Sequence, residues 1–187
     1  MCGLTGFWAR SPSSTDSGAI AAAMADRLRH RGPDDGGVWV DAGAGVALAH
    51  RRLAIVDLSE AGRQPMHSAN GRWVLAYNGE IYNHLDLRRR LEADGVAPAW
   101  RGHSDTETLL AAVSAWGVEE ALRRSIGMFA LALWDRWQRT LWLARDRAGE
   151  KPLYYGWQGD TFLFGSELKA LRAHPAFDAG VDRGALG

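Results

Sequence analysis

The sequence has little cysteine, no excess charge of either sign and no long apolar run. Its single cysteine excludes an internal disulfide and a zinc site built from several thiolates. With 22 basic and 22 acidic residues the formal net charge is zero, which argues against whole-chain attraction to nucleic acid or to an anionic membrane. The longest apolar run, Ile126 to Trp134, is far shorter than the ~20 residues that cross a bilayer. We therefore expect no nucleic-acid partner and no membrane segment.

The length of 187 residues and the composition, 47% hydrophobic and 24% charged, are those of one globular domain. The six histidines are scattered without metal-ligand spacing, so no metal site is expected. The first ten residues carry neither a basic leader nor an apolar stretch of signal-peptide length. We therefore expect a cytoplasmic protein, in whose reducing environment the one cysteine stays free.

Helical and strand patterns occur in separate blocks along the chain. Apolar spacing and capping residues predict a short helix after Ser166 and four longer ones at 18–29, 85–93, 104–116 and 118–124. Ser17 and Ser104 are the predicted N-caps of the first and third of these longer helices. Alternating or apolar runs predict strands within 36–57 and at 72–77, 127–134, 140–145, 153–157 and 162–164. Blocks of this kind, joined by hairpin-length connections, favour an antiparallel α+β fold in which helices flank two sheets.

Cys2 follows the initiator methionine and becomes the N-terminal residue once Met1 is removed, which its small side chain permits. A thiol with a reference pKa of ~8.5 then shares a residue with a free α-amine of ~7.7–8.0, so the amine can accept the thiol proton near neutral pH. This arrangement predicts a nucleophile that carries its own base. A second interpretation is that Cys2 is a small buried apolar residue, the commoner role of a lone cysteine.

Eight short segments, taken together and in order, carry a resemblance to a known family. They are CGLTGF (2–7), RHRGPD (29–34), HRRLAIVD (50–57), YNGEIYNH (77–84), SDTE (104–107), GMFALALWD (127–135), RDRAGEKPLYY (145–155) and SELKAL (166–171). The chain strongly resembles the glutaminase domain of glutamine-hydrolysing asparagine synthetase, a class II amidotransferase with an N-terminal nucleophile. The resemblance covers nearly the whole chain. Within class II, YNGEIYNH and the KPLYY segment are more similar to asparagine synthetase than to hexosamine-phosphate synthase or phosphoribosyl amidotransferase.

The resemblance implies a four-layer αββα sandwich of two antiparallel sheets, of the N-terminal nucleophile hydrolase type. It implies hydrolysis of L-glutamine to L-glutamate and ammonia, with Cys2 attacking the side-chain amide. It also implies that residues 1–187 are the N-terminal part of a longer chain, because asparagine synthetases continue into an ATP-dependent synthetase domain whose SGGxDS-type loop is absent here. ATP and Mg are expected only in that synthetase domain, no cofactor is expected in this one, and a homodimer stays open.

The resemblance assigns roles to the residues that match its motifs. The oxyanion donors are the side-chain amide of Asn78 and the backbone N–H of Gly79, although an Asn-Gly pair by itself indicates a tight hairpin turn. The α-carboxylate of glutamine falls to Arg52, which can grip it with two hydrogen bonds. Neighbouring residues on a strand face opposite sides, so Arg51 is expected to be a surface charge.

The partner for the glutamine ammonium is Asp105, with Glu80 nearby in its motif. An acid in the first turn of a helix also stabilises the helix dipole, so Asp105 has a structural interpretation as well. In the family the pocket is flanked mainly by the backbone of four consecutive residues, which here are Leu53, Ala54, Ile55 and Val56. Two interpretations stay open for the 29–34 and 145–155 segments. In the first, they form a loop that covers bound glutamine and the face through which ammonia leaves. In the second, their charged residues form structural ion pairs; these residues are Arg29, Arg31, Arg145 and Asp146.

Two other functions stay open at this point. The domain could serve an enzyme that amidates a sugar, peptide or antibiotic precursor in place of aspartate. A non-catalytic domain of the same fold would lack Cys2, Asn78, Gly79 or Arg52, and all four are present.

We expect glutamine hydrolysis to require the removal of Met1. While Met1 is attached, the Cys2 nitrogen is an amide and cannot act as a base.

Overall fold

The computed structural model describes residues 1–11, 16–54, 60–180 and 184. In these ranges the chain forms nine strands and five α-helices. The strands are β1 (Gly3–Ala9), β2 (Asp35–Asp41), β3 (Val46–Arg52), β4 (Met66–His67), β5 (Trp73–Ile81), β6 (Gly127–Asp135), β7 (Thr140–Arg145), β8 (Tyr154–Gln158) and β9 (Thr161–Gly165). The helices are α1 (Ser17–Asp26), α2 (His84–Ala93), α3 (Asp105–Trp116), α4 (Val118–Arg124) and α5 (Leu168–Leu171).

The strands form two antiparallel sheets. The first has the order β2-β3-β1-β9-β8 and the second the order β4-β5-β6-β7. In the first sheet Gly3 lies opposite Arg51, so the start of β1 lies beside the end of β3. In the second sheet Asn78 lies opposite Ala130, well inside the paired part of β5. The register thus brings the N-terminal segment next to the residues that follow β3.

Apolar side chains on both faces of each sheet build a four-layer structure. Along β3, Val46 and Leu48 face the second sheet, whereas Ala47 and Ala49 face α1 and α5, as the two-residue period of a strand requires. Between the sheets these side chains meet residues of β5 and β6, among them Val74 and Trp134. Helices α2, α3 and α4 cover the outer face of the second sheet. The layer order is αββα, and the predicted fold class is confirmed.

Most predicted elements are present, and the local differences concern caps and one strand end. Ser104 caps α3 as predicted, with its hydroxyl accepting from the N–H of Glu107. The cap of α1 is Asp16 and not Ser17, which is the first residue of the helix. Ser166 does not cap α5, because its hydroxyl accepts from the N–H of Leu4 in β1. Each of these two serines was predicted from local sequence, and in each case a neighbour or a distant strand provides the better partner.

The predicted strand at 72–77 extends to Ile81, so Asn78 and Gly79 lie within β5. The hairpin turn that an Asn-Gly pair indicates by itself is therefore absent, because pairing with the long strand β6 outweighs the local turn preference. No helix in the described part of the chain has both the length and the apolarity needed to cross a membrane.

Candidate active site

One cleft brings together most of the residues singled out from the sequence. It has a volume of about 140 Å³ and lies where β1 begins, β3 and β5 end, and α3 starts. Seven of the predicted site residues line it: Cys2, Arg52, Leu53, Asn78, Gly79, Glu80 and Asp105. Ala54 does not line the cleft, and its N–H instead donates to the Asp34 carboxylate at 2.9 Å. The other two predicted residues, Ile55 and Val56, lie outside the described residues.

The Cys2 side chain is held by the backbone of Leu53. The N–H of Leu53 donates to Cys2 Sγ at 3.4 Å, and the thiol donates to the Leu53 carbonyl at 3.6 Å. The Cys2 carbonyl accepts from Arg31 Nε at 2.9 Å, so both ends of the residue are fixed. The half-buried thiol therefore points into the cleft at a defined position.

Arg31 is itself anchored by Glu167, which lies just before α5. Glu167 accepts hydrogen bonds from Arg31, His30 and Lys169, each at 2.9 Å. Burial acts to raise the pKa of Glu167, but these cationic partners outweigh it and lower the pKa from 4.5 to about 2. An ionised Glu167 thus holds the guanidinium that contacts Cys2.

In the other arginine-rich segment, Arg145 and Asp146 form no ion pair with any described residue. Arg145 donates to the carbonyls of Lys151, at 2.5 Å, and of Gly149. Asp146 accepts from the backbone N–H groups of Phe129, Glu150 and Lys151 at 3.0 to 3.2 Å. Both side chains therefore fix the backbone of the 146–151 loop and do not pair with each other.

The side-chain amide of Asn78 is buried and donates no hydrogen bond within the described part of the chain. Asn78 is 2% exposed, and its Nδ2 has no partner among the described residues. A buried N–H group left without a partner costs about 1–3 kcal/mol, so such groups are rare in folded proteins. Asn78 lines the same cleft as Cys2, so the unpartnered amide belongs to a residue at the thiol-bearing cleft.

Gly79 is required by the close approach of β6. A Cβ atom at this position would lie 2.3 Å from the carbonyl oxygen of Met128 and 2.6 Å from Cβ of Phe129. Real side chains do not tolerate contacts this short, so only glycine fits between β5 and β6 here.

Arg52 and Arg51 lie on opposite sides of β3, as the strand period predicts. Arg52 is 9% exposed and lines the cleft. Arg51 is half-buried on the other side, where its Nε donates to the carbonyl of Gly32 at 3.0 Å. The expectation of a simple surface charge at Arg51 is therefore wrong, because this side chain ties β3 to the loop after α1.

Asp105 joins the start of α3 to β5. Its Oδ2 accepts from the hydroxyl of Tyr77 at 2.8 Å and from the N–H of Ile81 at 2.9 Å, and its Oδ1 accepts from the N–H of Thr106. Burial and the nearby Asp105 carboxylate raise the pKa of Tyr77 well above 10, which keeps the phenol protonated as a donor. Exposed Glu80 lies on the rim of the same cleft.

Eight further residues line the cleft and were not identified as site residues from the sequence, among them Gln64, Tyr77 and Lys151. Gln64 accepts from the N–H of Tyr77 at 2.6 Å, and no local pattern marks it. Tyr77 lies in the YNGEIYNH segment, of which only Asn78, Gly79 and Glu80 were assigned roles in the site. Lys151 is buried in the cleft. The sequence feature that could have marked it is its rarity, because only two of the 22 basic residues are lysines.

Comparison with known proteins agrees with this geometry. The family model described as glutamine amidotransferase domain matches residues 1–187. The chain belongs to this family. Asparagine synthetase [glutamine-hydrolyzing] 3 of Bacillus subtilis is 42% identical to this amidotransferase domain over 193 residues, and a putative asparagine synthetase [glutamine-hydrolyzing] of Mycobacterium tuberculosis H37Rv is 39% identical over 201 residues. Each alignment covers 100% of the chain but 30% of the relative, so the chain spans about a third of the length of these curated relatives.

A solved structure shares the fold of this amidotransferase domain. The glutamine phosphoribosylpyrophosphate amidotransferase of B. subtilis, solved with ADP and GMP, superposes with a TM-score of 0.76 at 23% sequence identity. The match covers 92% of the chain and 43% of that protein. At this level of identity the likeness concerns the fold, and it agrees with the αββα layering described above.

Proposed function

We propose that this amidotransferase domain hydrolyses L-glutamine to L-glutamate and ammonia, with Cys2 as the nucleophile after removal of Met1. The observation that carries the proposal is the unpartnered, buried Nδ2 of Asn78 in the cleft that holds the Cys2 thiol. An acyl-transfer site needs an N–H donor that the fold itself does not use, so that it can bind the oxyanion of the tetrahedral intermediate. The backbone N–H of Gly79 is the second donor in this proposal.

The same cleft provides groups for the two charges of the amino acid. Arg52 binds the α-carboxylate, for which a planar guanidinium is suited because it donates two parallel hydrogen bonds. Asp105 binds the α-ammonium, with Glu80 on the rim. A carboxylate has about four acceptor positions, and donors from the described residues fill three of those on Asp105, which leaves one for a ligand. The backbone of Leu53 flanks the thiol.

The chemistry uses the two functional groups of Cys2. The free α-amine takes the thiol proton, and Sγ forms a bond to the carbon of the glutamine side-chain amide. The oxygen of that amide becomes an oxyanion, which Asn78 and Gly79 bind. The intermediate collapses as the C–N bond breaks, and the α-ammonium returns the proton to the departing nitrogen, which leaves as ammonia. Water then attacks the thioester carbon and gives a proton to the α-amine. The C–S bond breaks, the α-ammonium returns this proton to the departing Cys2 thiolate, and glutamate leaves.

In the whole protein, we propose that the ammonia is consumed by an ATP-dependent asparagine synthetase domain that follows residue 187. The two curated relatives are three times as long as this chain and are named glutamine-hydrolysing asparagine synthetases, which supports this proposal. ATP and Mg belong to that second domain, and this one works without a cofactor. The protein then acts in the cytoplasm as a ligase with a hydrolase half-reaction.

The test is covalent labelling of the full-length, Met1-free protein with a glutamine-like electrophile, followed by peptide mass mapping. We expect a single adduct on Cys2, protection by added glutamine, and no adduct in a Cys2→Ala variant. Release of glutamate from glutamine is measured on the same sample. A folded, Met1-free protein that neither labels at Cys2 nor releases glutamate would contradict the proposal and favour a non-catalytic domain of this fold.

A further inference from the structure

Lys151 is a buried cation with no acidic partner among the described residues. It is 7% exposed and lines the cleft together with Met1 and Cys2. Its Nζ donates to the Met1 thioether sulfur at 3.4 Å, and no carboxylate in the described ranges lies within 4.0 Å of it. Lysine is almost never buried without a compensating charge. Its position therefore calls for an explanation other than packing.

The backbone at Lys151 is held more firmly than a surface loop requires. Arg145 donates to the Lys151 carbonyl at 2.5 Å, and Asp146 accepts from the Lys151 N–H at 3.2 Å. Asp146 also accepts from the N–H of Phe129, which ties this loop to β6. Two charged side chains thus fix the point from which the lysine side chain enters the cleft.

The position of Met1 relates Lys151 to the α-amine of Cys2. The Met1 sulfur is five bonds from the Cys2 nitrogen, so Lys151 Nζ lies within about 10 Å of that nitrogen. When Met1 is removed, the thioether contact is lost and the Cys2 nitrogen becomes a titratable amine in the same cleft. Lys151 then faces it across a partly buried space.

The other charged groups near this amine come from β3, β5, α3 and the loops after α1 and before α5. Arg31 contacts the Cys2 carbonyl and is paired with Glu167. Asp105 is held by Tyr77 and two backbone groups, whereas Arg52 and Glu80 line the cleft. The carboxylates favour a protonated amine and the guanidinium groups oppose it. Lys151 adds a further positive charge that no described carboxylate offsets.

We propose that Lys151 is a positioning residue whose ammonium keeps the released α-amine of Cys2 in its neutral, basic form. This role rests on the proposed function, in which that amine takes the thiol proton. A like charge within about 10 Å, at an effective dielectric constant near 20, lowers the pKa of an amine by about one unit. Removing the Lys151 charge therefore raises the pKa of the Cys2 α-amine. The amine then stays protonated, and inactive as a base, up to a higher pH.

The first experiment measures the pH profile of kcat/KM for glutamine hydrolysis by the full-length, Met1-free protein and three variants. In Lys151→Met, which keeps the length of the side chain, we expect the acid limb to move up by about one pH unit. One unit below the parent limb kcat/KM then falls about tenfold, while the high-pH plateau stays near the parent value. Lys151→Arg keeps the parent limb, as does Arg89→Met, which removes one charge from an exposed position on α2.

A second experiment reads the amine without using the activity. The rate of acylation of the Cys2 α-amine by an amine-directed anhydride is followed against pH by peptide mass mapping, and we expect the same one-unit rise in Lys151→Met. An acid limb and an acylation profile identical to those of the parent would overturn the role of Lys151. So would a raised KM or a lowered melting temperature without movement of the limb, since these indicate substrate binding or packing. If no variant or parent hydrolyses glutamine, the proposed function fails, and the acylation profile still decides the electrostatic role.

Discussion

The amide of Asn78 allows activity and stability to be predicted with opposite signs. Replacing it with alanine removes a donor that the proposed oxyanion needs, which typically lowers kcat by ~10²–10³, or about 2.7–4 kcal/mol. The same change removes a buried N–H group that has no partner among the residues the structure describes. Leaving that group unpaired costs about 1–3 kcal/mol, and this cost is offset in part by the packing of the carboxamide. We therefore expect Asn78→Ala to be as stable as the parent or more stable by about 1 kcal/mol.

The measurements are kcat and KM for glutamate release, together with amide hydrogen exchange of β5 and β6 peptides in the full-length protein. Exchange reports the opening free energy of these strands even where the whole chain does not unfold in one step. Asn78→Asp is the matched control, because it keeps the volume of the side chain and replaces the donor with a carboxylate oxygen. Its kcat should fall at least as far as that of Asn78→Ala, which separates loss of the donor from space left in the cleft.

Two results would refute this reasoning. A kcat for Asn78→Ala within about threefold of the parent would mean that the amide does not meet the reacting oxygen. A fall of about 2 kcal/mol or more in the opening free energy of β5 would mean that the amide stabilises the strand, in conflict with its lack of a partner.

Three further outcomes are expected. Arg52→Lys should raise KM for glutamine several-fold with a smaller loss of kcat, because a single ammonium replaces a guanidinium that donates two parallel hydrogen bonds. Arg51→Lys should leave KM unchanged. A larger KM effect at Arg51 would mean that Arg51, and not Arg52, binds the carboxylate. An N-terminal extension that retains Met1, verified by intact mass, should slow hydrolysis at least ~10²-fold because the Cys2 nitrogen stays an amide, and parent-like turnover would count against the amine as base. The pKa of Glu167 is lowered from 4.5 to about 2, so its stabilising effect is complete above pH 4.5 and is lost as pH falls towards 2. Amide exchange of α5 should speed up across this window in the parent and much less in Glu167→Gln, and equal acid sensitivity of the two would show that the carboxylate is not the titrating group.

Local patterns predicted the elements well where burial and period agree. The strand at 140–145 was predicted at its observed bounds, and the helix that ends at Trp116 was predicted with its observed cap, Ser104. Local signals failed where a distant segment provides a better partner. Ser166 binds β1, and the Asn-Gly pair is drawn into a strand by β6.

The candidate site was predicted from motifs, and its unpredicted members depend on tertiary contacts. Cys2, Arg52 and Asn78 were named from segments that resemble a family, and the structure places them in one cleft. Lys151 enters the same cleft from a segment almost 150 residues away from Cys2, and Gln64 enters from an irregular segment. No periodicity relates such positions, because their proximity arises only when the two sheets stack.

Because Gly79 fits tightly against β6, a glycine at this position in another member of the family does not show that the member is catalytically active. This glycine is enforced by the carbonyl of Met128, whether or not catalysis takes place. A relative that had lost its nucleophile would still be selected for glycine at this position, as long as β5 and β6 pair in the same way. No comparable backbone contact enforces the Asn78 amide, whose Nδ2 donates no hydrogen bond to the described residues. When relatives are sorted into active and inactive forms, the asparagine is therefore the informative residue of the pair.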